Sequence, residues 1–369
     1  MIIYQDCRYI RWDKPCKFHK EYGVHCESCK YYDKIDFRIL IIKLDAPSDV
    51  LRTTCILQGL REEYRNSHIT WLTRRESLPL FKNNPFIDNV LEYSTGSFIQ
   101  IQSEPYDFVI NPDASPKSAI LVTIARGKIK RGFGYNEKGY VYPFNKEAQK
   151  WFKMGLFDSV KKANTETYQR IILNMIGLRP LNYEIIFNLD SNEREFAKNF
   201  ASKHGISKMD VVIGLNTGAG GRWQNKKWTI DGYLGLIRLI KKELKGCKIL
   251  LYGGPEEIER NRYLIEQENS LIDTGCHNTL RQFGALLDLC HILITGDTLA
   301  LHMAVALKKK VIALFGPTSH TEIALYGRGK KIFADMDCLC CYRESCCIKP
   351  SCMEMITPQQ VFSAIKEVL

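Results

Sequence analysis

Residues able to do chemistry gather in two loop-like segments and two cysteine clusters of this chain. Residues 216–228 read Asn-Thr-Gly-Ala-Gly-Gly-Arg-Trp-Gln-Asn-Lys-Lys-Trp, between an apolar run and a helical pattern. Glycines there let backbone N–H groups approach an anion, and Lys226 and Lys227 add positive charge. The segment lacks the Gly-Lys-Ser/Thr of a Walker A loop and is not a GxGxxG fingerprint. An ordinary strand-to-helix turn is the plain alternative. Residues 294–302, Ile-Thr-Gly-Asp-Thr-Leu-Ala-Leu-His, put Asp297 and Thr298 just past a strand and His302 about one helical turn further on. Such a cluster at a helix start can hold a pyrophosphate through N–H groups and a hydroxyl. Equally, Asp297 or Thr298 could be a plain cap and His302 a core histidine.

Four of the fourteen cysteines lie in the first 29 residues (Cys7, Cys16, Cys26, Cys29) and six between 338 and 352. The other four are scattered and read as small buried hydrophobes. The N-terminus has no apolar signal segment, so the expected location is cytoplasmic and the clusters suggest metal rather than disulfides. One set would be Cys7, Cys16, Cys26 and Cys29, with His19 and His25 as substitutes. The other would be Cys338, Cys341, Cys346 (or Cys347) and Cys352. Zinc is the first expectation for four thiolates and iron the second, in a structural role.

These residues need elements to position them. At 369 residues the chain suits two domains. Residues 37–43 form a continuous apolar run of strand length, and 50–64 have helical periodicity. Short apolar segments follow at 69–72, 90–91 and 108–110, then a helix over 165–177. A second series alternates strands at 211–215, 248–252, 271–272, 291–294 and 311–315 with helices at 230–244 and from 256. Runs of this kind are strands buried on both faces of a parallel sheet. The reading is α/β, with a Cys-rich head over 1–35, domains over 36–180 and 181–337, and a Cys-rich segment and helix over 338–369. The net charge of +11 suits an anionic partner. No basic stripe is interleaved with aromatics, so nucleic acid is not expected.

Taken together, the order Asn-Thr-Gly-Ala-Gly…Lys-Lys-Trp-Thr, Leu-Tyr-Gly-Gly-Pro-Glu-Glu, Gly-Asp-Thr-x-x-x-His-x-Ala-x-Ala-Leu and Ala-Leu-Phe-Gly-Pro-Thr resembles glycosyltransferase family 9, the heptosyltransferases. The likeness covers most of residues 37–369, including a loop around Asp49 after the first strand. The Cys-rich ending resembles a branch of that family. The resemblance implies a GT-B fold, two Rossmann-like domains facing across a cleft, the first for the acceptor and the second for a nucleotide-sugar. It implies Asp49 as general base, Thr217, Gly218 and Lys226 on the donor phosphates, Glu256 at the ribose, and Asp297, Thr298 and His302 around the pyrophosphate and sugar. Asp45 is a rival base. Two positions depart from the family pattern: Ser48 and Leu299 stand where it has glycine.

The implied reaction is inverting, without a catalytic metal: a hydroxyl attacks the anomeric carbon as the nucleoside diphosphate leaves. ADP-heptose is the expected donor. The expected acceptor is an anionic bacterial surface glycan or glycolipid such as lipopolysaccharide core, reached at the inner membrane surface. The alternatives are another nucleotide-sugar, or a metal-binding nucleotide sensor without turnover.

Overall fold

The computed structural model describes residues 2–11, 13–220 and 224–369. Part of the glycine-rich 216–228 segment, at 221–223, therefore lies outside the described residues.

Two six-stranded sheets form. The first contains β1 (Phe37–Ile42), β2 (Ser67–Thr73), β3 (Asn89–Glu92), β4 (Tyr106–Asn111), β5 (Gly127–Tyr135) and β6 (Val141–Pro143), in the order β3-β2-β1-β4-β5-β6. Only β6 runs antiparallel, against β5. The second contains β7 (Val212–Asn216), β8 (Lys248–Tyr252), β9 (Ile272–Asp273), β10 (Ile292–Gly296), β11 (Lys310–Phe315) and β12 (Gly329–Phe333), in the order β12-β11-β10-β7-β8-β9. Its pairings are all parallel. The central strands are apolar throughout: Ile39, Leu40, Ile41 and Ile42 of β1 are fully buried, as helices on both sheet faces require.

Each sheet reverses its strand order once, between β1 and β4 and between β7 and β10. Ligands of open α/β sheets bind beyond the carboxyl ends of the strands at such a switch point. The loops concerned carry Asp45, Asp49 and Asp113 in the first half, and Gly218, Lys226, Asp297 and Thr298 in the second.

The 50–64 helix is in fact two, Pro47–Thr53 and Ile56–Glu63. Thr54 ends the first: its N–H and its hydroxyl both donate to the Leu51 carbonyl, at 3.0 and 2.7 Å. This i−3 bonding tightens the last turn and stops propagation. The short first helix is thereby free to turn Asp49 and Arg52 toward the second domain.

One continuous apolar cluster joins the halves. It runs from Ile39 and Ile41 through Tyr168, Ile172 and Leu173 to Ala300, Leu301 and Val305. The last helix, Pro358–Val368, has the expected Thr357 cap and packs on the helix Ile230–Glu243. The head differs: among its described residues up to Lys34 none is buried. Among the described residues, no helix is long and apolar enough to cross a membrane.

Candidate active site

Two cavities adjoin at the mouths of the sheets. One, of about 310 Å³, is lined by Asp49 and Arg52 from the first half and Lys226, Asp297 and His302 from the second. The other, of about 600 Å³, runs over Gly218, Glu257, Thr298 and Leu299. Ser48, Asp49, Lys226 and Asp297 line both.

The first half settles most of its charges internally. Lys43 and Asp113 are a buried ion pair, and Asp113 also accepts from the backbone N–H of Leu44 at 2.7 Å. Burial would lower the Lys43 ammonium, but Asp113 and the carboxylates behind it outweigh that, and the lysine stays protonated. Asp45 joins this network at 2.9 Å from Lys43. Burial pushes the Asp45 carboxyl up and Lys43 pulls it further down, leaving it below the carboxylate range. Asp45 lines neither cavity, so its chemistry is spent holding the loop. Asp49 lines both and is paired with Arg52 at 2.7 Å, three residues on along the helix. The Arg52 guanidinium lies 3.7 Å from the centre of the Tyr168 ring and 4.0 Å from Glu322 across the cleft.

In the second half, Lys226 Nζ lies 3.1 Å from Asp297 Oδ2. Burial would raise the Asp297 carboxyl, but Lys226, with His302, Thr318 and Arg52 behind it, holds it down and ionised. His302 is buried on the helix Leu299–Ala306. Burial, reinforced by Arg52 and opposed by Asp297, brings it down to about 4, so the ring is neutral near pH 7. Thr298 is the cap residue of that helix, yet its side chain makes no cap hydrogen bond. Its hydroxyl instead shares a 3.1 Å contact with Thr295. The first turn of the helix therefore has no side-chain cap from Thr298, and helix starts of this kind can receive phosphate. Gly296 keeps the loop close: a Cβ there would stand 3.0 Å from the Lys226 carbonyl oxygen.

Asp49, Gly218, Lys226, Asp297, Thr298 and His302 thus converge on the two cavities, and two expected residues do not. The Thr217 hydroxyl turns into the sheet, donating to Asn261 Oδ1 at 2.5 Å, and its N–H donates to the Tyr252 carbonyl. With both donors committed, Thr217 supports the loop instead of facing the groove. Glu256 is exposed outside it, while Glu257 is buried within it. Glu257 accepts from the Gly254 N–H at 3.1 Å and pairs with Lys227 at 3.0 Å. Adjacent glutamates in this 3-10 turn differ by about 120° around the helix axis, which sequence alone could not resolve. Gly218 is small because of Glu257: a Cβ would meet its carboxyl carbon at 2.8 Å. Neither Ser48 nor Leu299 takes a positive φ, and both sit at helix starts, so losing glycine there costs no strain.

Among the described residues no three His, Cys, Asp or Glu side chains are grouped to hold a metal ion, and all fourteen cysteines are free thiols. Cys7, Cys16, Cys26 and Cys29 do share one cavity with His19 and His25. Cys16 Sγ also caps a helix by accepting from the His19 N–H at 3.4 Å, and the Cys7 backbone bridges to Lys34. Cys338, Cys341 and Cys346 line a second cavity with Cys347, and Cys352, beside Met353, lies near enough that burial first and then Cys341, Cys338 and Cys346 push its thiol up.

Residues 97–351 match the family model described as glycosyltransferase family 9 (heptosyltransferase). The chain belongs to glycosyltransferase family 9. It is 23% identical over 299 residues to lipooligosaccharide heptosyltransferase 2 of Campylobacter jejuni, covering 78% of this chain and 90% of that one. In fold it is similar to the glycosyl transferase family 9 protein of Veillonella parvula, at a TM-score of 0.73, 20% identity and coverage of 90% and 97%. It is also similar to the ADP-heptose lps heptosyltransferase II of E. coli, at a TM-score of 0.65, 19% identity and coverage of 90% and 98%. As a family 9 glycosyltransferase it has the two-domain α/β architecture of those structures. Sequence reasoning missed Arg52, Glu257, Glu322 and the tail residue Tyr342 at the site. Arg52 alone had a signal, standing three residues from Asp49 on one helix face.

Proposed function

We propose that the protein transfers heptose, or a closely related sugar, from a nucleotide-sugar of the ADP-heptose class to a hydroxyl of a bacterial surface glycan such as lipopolysaccharide core, with inversion. The observation that carries this reading is Asp49 standing where the two cavities meet, opposite Lys226 and an open helix start. The larger groove suits the nucleoside diphosphate: Gly218 lets it approach the backbone, Glu257 offers a carboxylate for a ribose hydroxyl, and the first turn at Thr298 meets the pyrophosphate. The smaller cavity suits the acceptor sugar.

Asp49 takes the proton as the acceptor oxygen attacks the anomeric carbon. Arg52 keeps the carboxylate oriented beforehand. Charge then grows on the departing diphosphate, where Lys226 and the helix N–H groups stabilise it, usually the largest catalytic contribution in such reactions. His302 enters as a neutral hydrogen-bonding ring, and Asp297 fixes Lys226. The basic excess suits an acceptor at the inner membrane surface.

The test is release of nucleoside diphosphate, followed by mass spectrometry across a panel of nucleotide-sugars with heptose-deficient core as acceptor. Asp49→Asn is expected to lower kcat about 10²–10⁴-fold while donor affinity persists. A variant as active as the parent would remove Asp49 from the chemistry.

A further inference from the structure

The Cys-rich segment after β12 reaches into the smaller cavity through one side chain. Tyr342 lines it, held there on several sides. Its N–H donates to the Pro317 carbonyl at 2.8 Å. Its hydroxyl accepts from the Ser319 N–H at 3.1 Å and donates to Glu322 Oε1 at 3.2 Å. Both Tyr342 and Cys340 adopt the left-handed backbone region, at φ 52° and 60°. Non-glycine residues take that conformation at a cost that the surrounding contacts must offset. Here the buried Cys340, whose N–H donates to the Gly316 carbonyl at 3.2 Å, anchors the turn. The next residue, Arg343, accepts through its carbonyl from Asn225 at 3.4 Å, so the same turn touches the segment that carries Lys226.

Over the Tyr342 ring, 3.8 Å from its centre, lies the Lys161 ammonium, which comes from the first domain. The cations around this cavity differ in what they face. Arg52 is bound to Asp49 and approaches Glu322, and Lys226 is bound to Asp297. Among the described residues Lys161 has no carboxylate within ion-pair distance; an aromatic face holds it instead. A cation–π contact fixes an ammonium in place while leaving its hydrogen-bond donors open.

We propose that Lys161, steadied by Tyr342, is a subsite for an anionic group, carboxylate or phosphate, carried by the acceptor sugar beside the reacting hydroxyl. Tyr342 is a positioning residue in this arrangement: it presents the lysine and makes the Cys-rich segment a wall of the acceptor pocket. The inference rests on the glycosyl-transfer reading and specifies its acceptor.

The experiment compares acceptor and donor kinetics of the full-length protein and its Lys161→Gln, Tyr342→Phe and Tyr342→Ala variants. The acceptor is heptose-deficient lipopolysaccharide core in three forms: untreated, dephosphorylated with hydrofluoric acid, and carboxyl-reduced. Lys161→Gln should raise the acceptor KM about 10- to 100-fold, the size of a lost hydrogen bond to a charged group, with kcat and the donor KM within about twofold. That penalty should vanish in one neutralised form, which identifies phosphate or carboxylate as the group held. Tyr342→Phe keeps the ring and should stay near the parent, whereas Tyr342→Ala should show part of the Lys161→Gln effect. If Tyr342→Ala fails to fold, the Lys161→Gln comparison carries the test alone. An acceptor KM unchanged in Lys161→Gln, or a penalty equal across all three forms, overturns the subsite. Absence of turnover by the parent protein with every donor would instead defeat the enzymatic reading, and the subsite with it.

Discussion

The mouths of the two sheets handle charge in opposite ways. Beyond β1 and β4, Lys43, Asp45 and Asp113 satisfy one another and the backbone, and Asp49 with Arg52 alone turns outward. Beyond β7 and β10 the backbone itself is left open, at a helix start whose cap side chain declines to bond it. One mouth is a finished network that aims a single carboxylate, and the other keeps its donors for a ligand. A proton acceptor needs fixed aim, while a departing diphosphate needs many oriented donors, so the difference suits the two halves of one displacement.

This contrast can be broken from the first mouth with the largest effect. Lys43→Met leaves Asp113 buried without its cation and should destabilise the fold by about 3–5 kcal/mol in urea titrations. A loss below 1 kcal/mol would mean the network is not what holds the loop.

His302 gives the next effect. Its folded value, about 4, lies below the ordinary 6.5, so the unfolded chain binds the extra proton between those values. Its contribution to stability is therefore intact above pH 6.5 and declines as pH falls toward 4, by on the order of 2–3 kcal/mol. Denaturant titrations at pH 7 and 4.5 should show a smaller acid loss in His302→Gln than in the parent.

Thr217→Val sharpens the comparison. It orphans the buried Asn261 oxygen and should cost about 1–3 kcal/mol, while donor binding measured by calorimetry stays within a few-fold. A large loss of donor affinity at unchanged stability would return Thr217 to the groove. Leu299→Gly should do least: glycine in the first helical turn costs up to about 1 kcal/mol and gives the donor no new approach, since Leu299 already has helical φ.

The central strands could be read from sequence because burial on both faces leaves unbroken apolar runs. The edge strand β12 and β5, whose first part has β4 on one side alone, could not: Lys128, Lys130, Lys330 and Lys331 interrupt them, as open strand edges require. Asp49, Lys226, Asp297 and His302, picked out through an ordered set of motifs each weak singly, line one cavity together. Thr217 and Glu256 went astray because a motif fixes which residues occur at a turn but not which way each points. The cysteine spacing suggested metal ligands; the thiols gather at two cavities, and Cys16 also caps a helix. Tyr342 carried no motif at all; a tertiary return of the tail brings it to the site.

The helix Pro47–Thr53, which bears Asp49, packs directly on the helix Leu299–Ala306 that begins at Thr298. The proposed base and the proposed receiver of the leaving group are therefore mounted on the two surfaces of a single bearing. If the halves swing to admit substrates, the rims of the cleft travel farthest and these two groups least. Opening can then serve entry and exit while the spacing between proton removal and diphosphate capture stays nearly constant through the cycle.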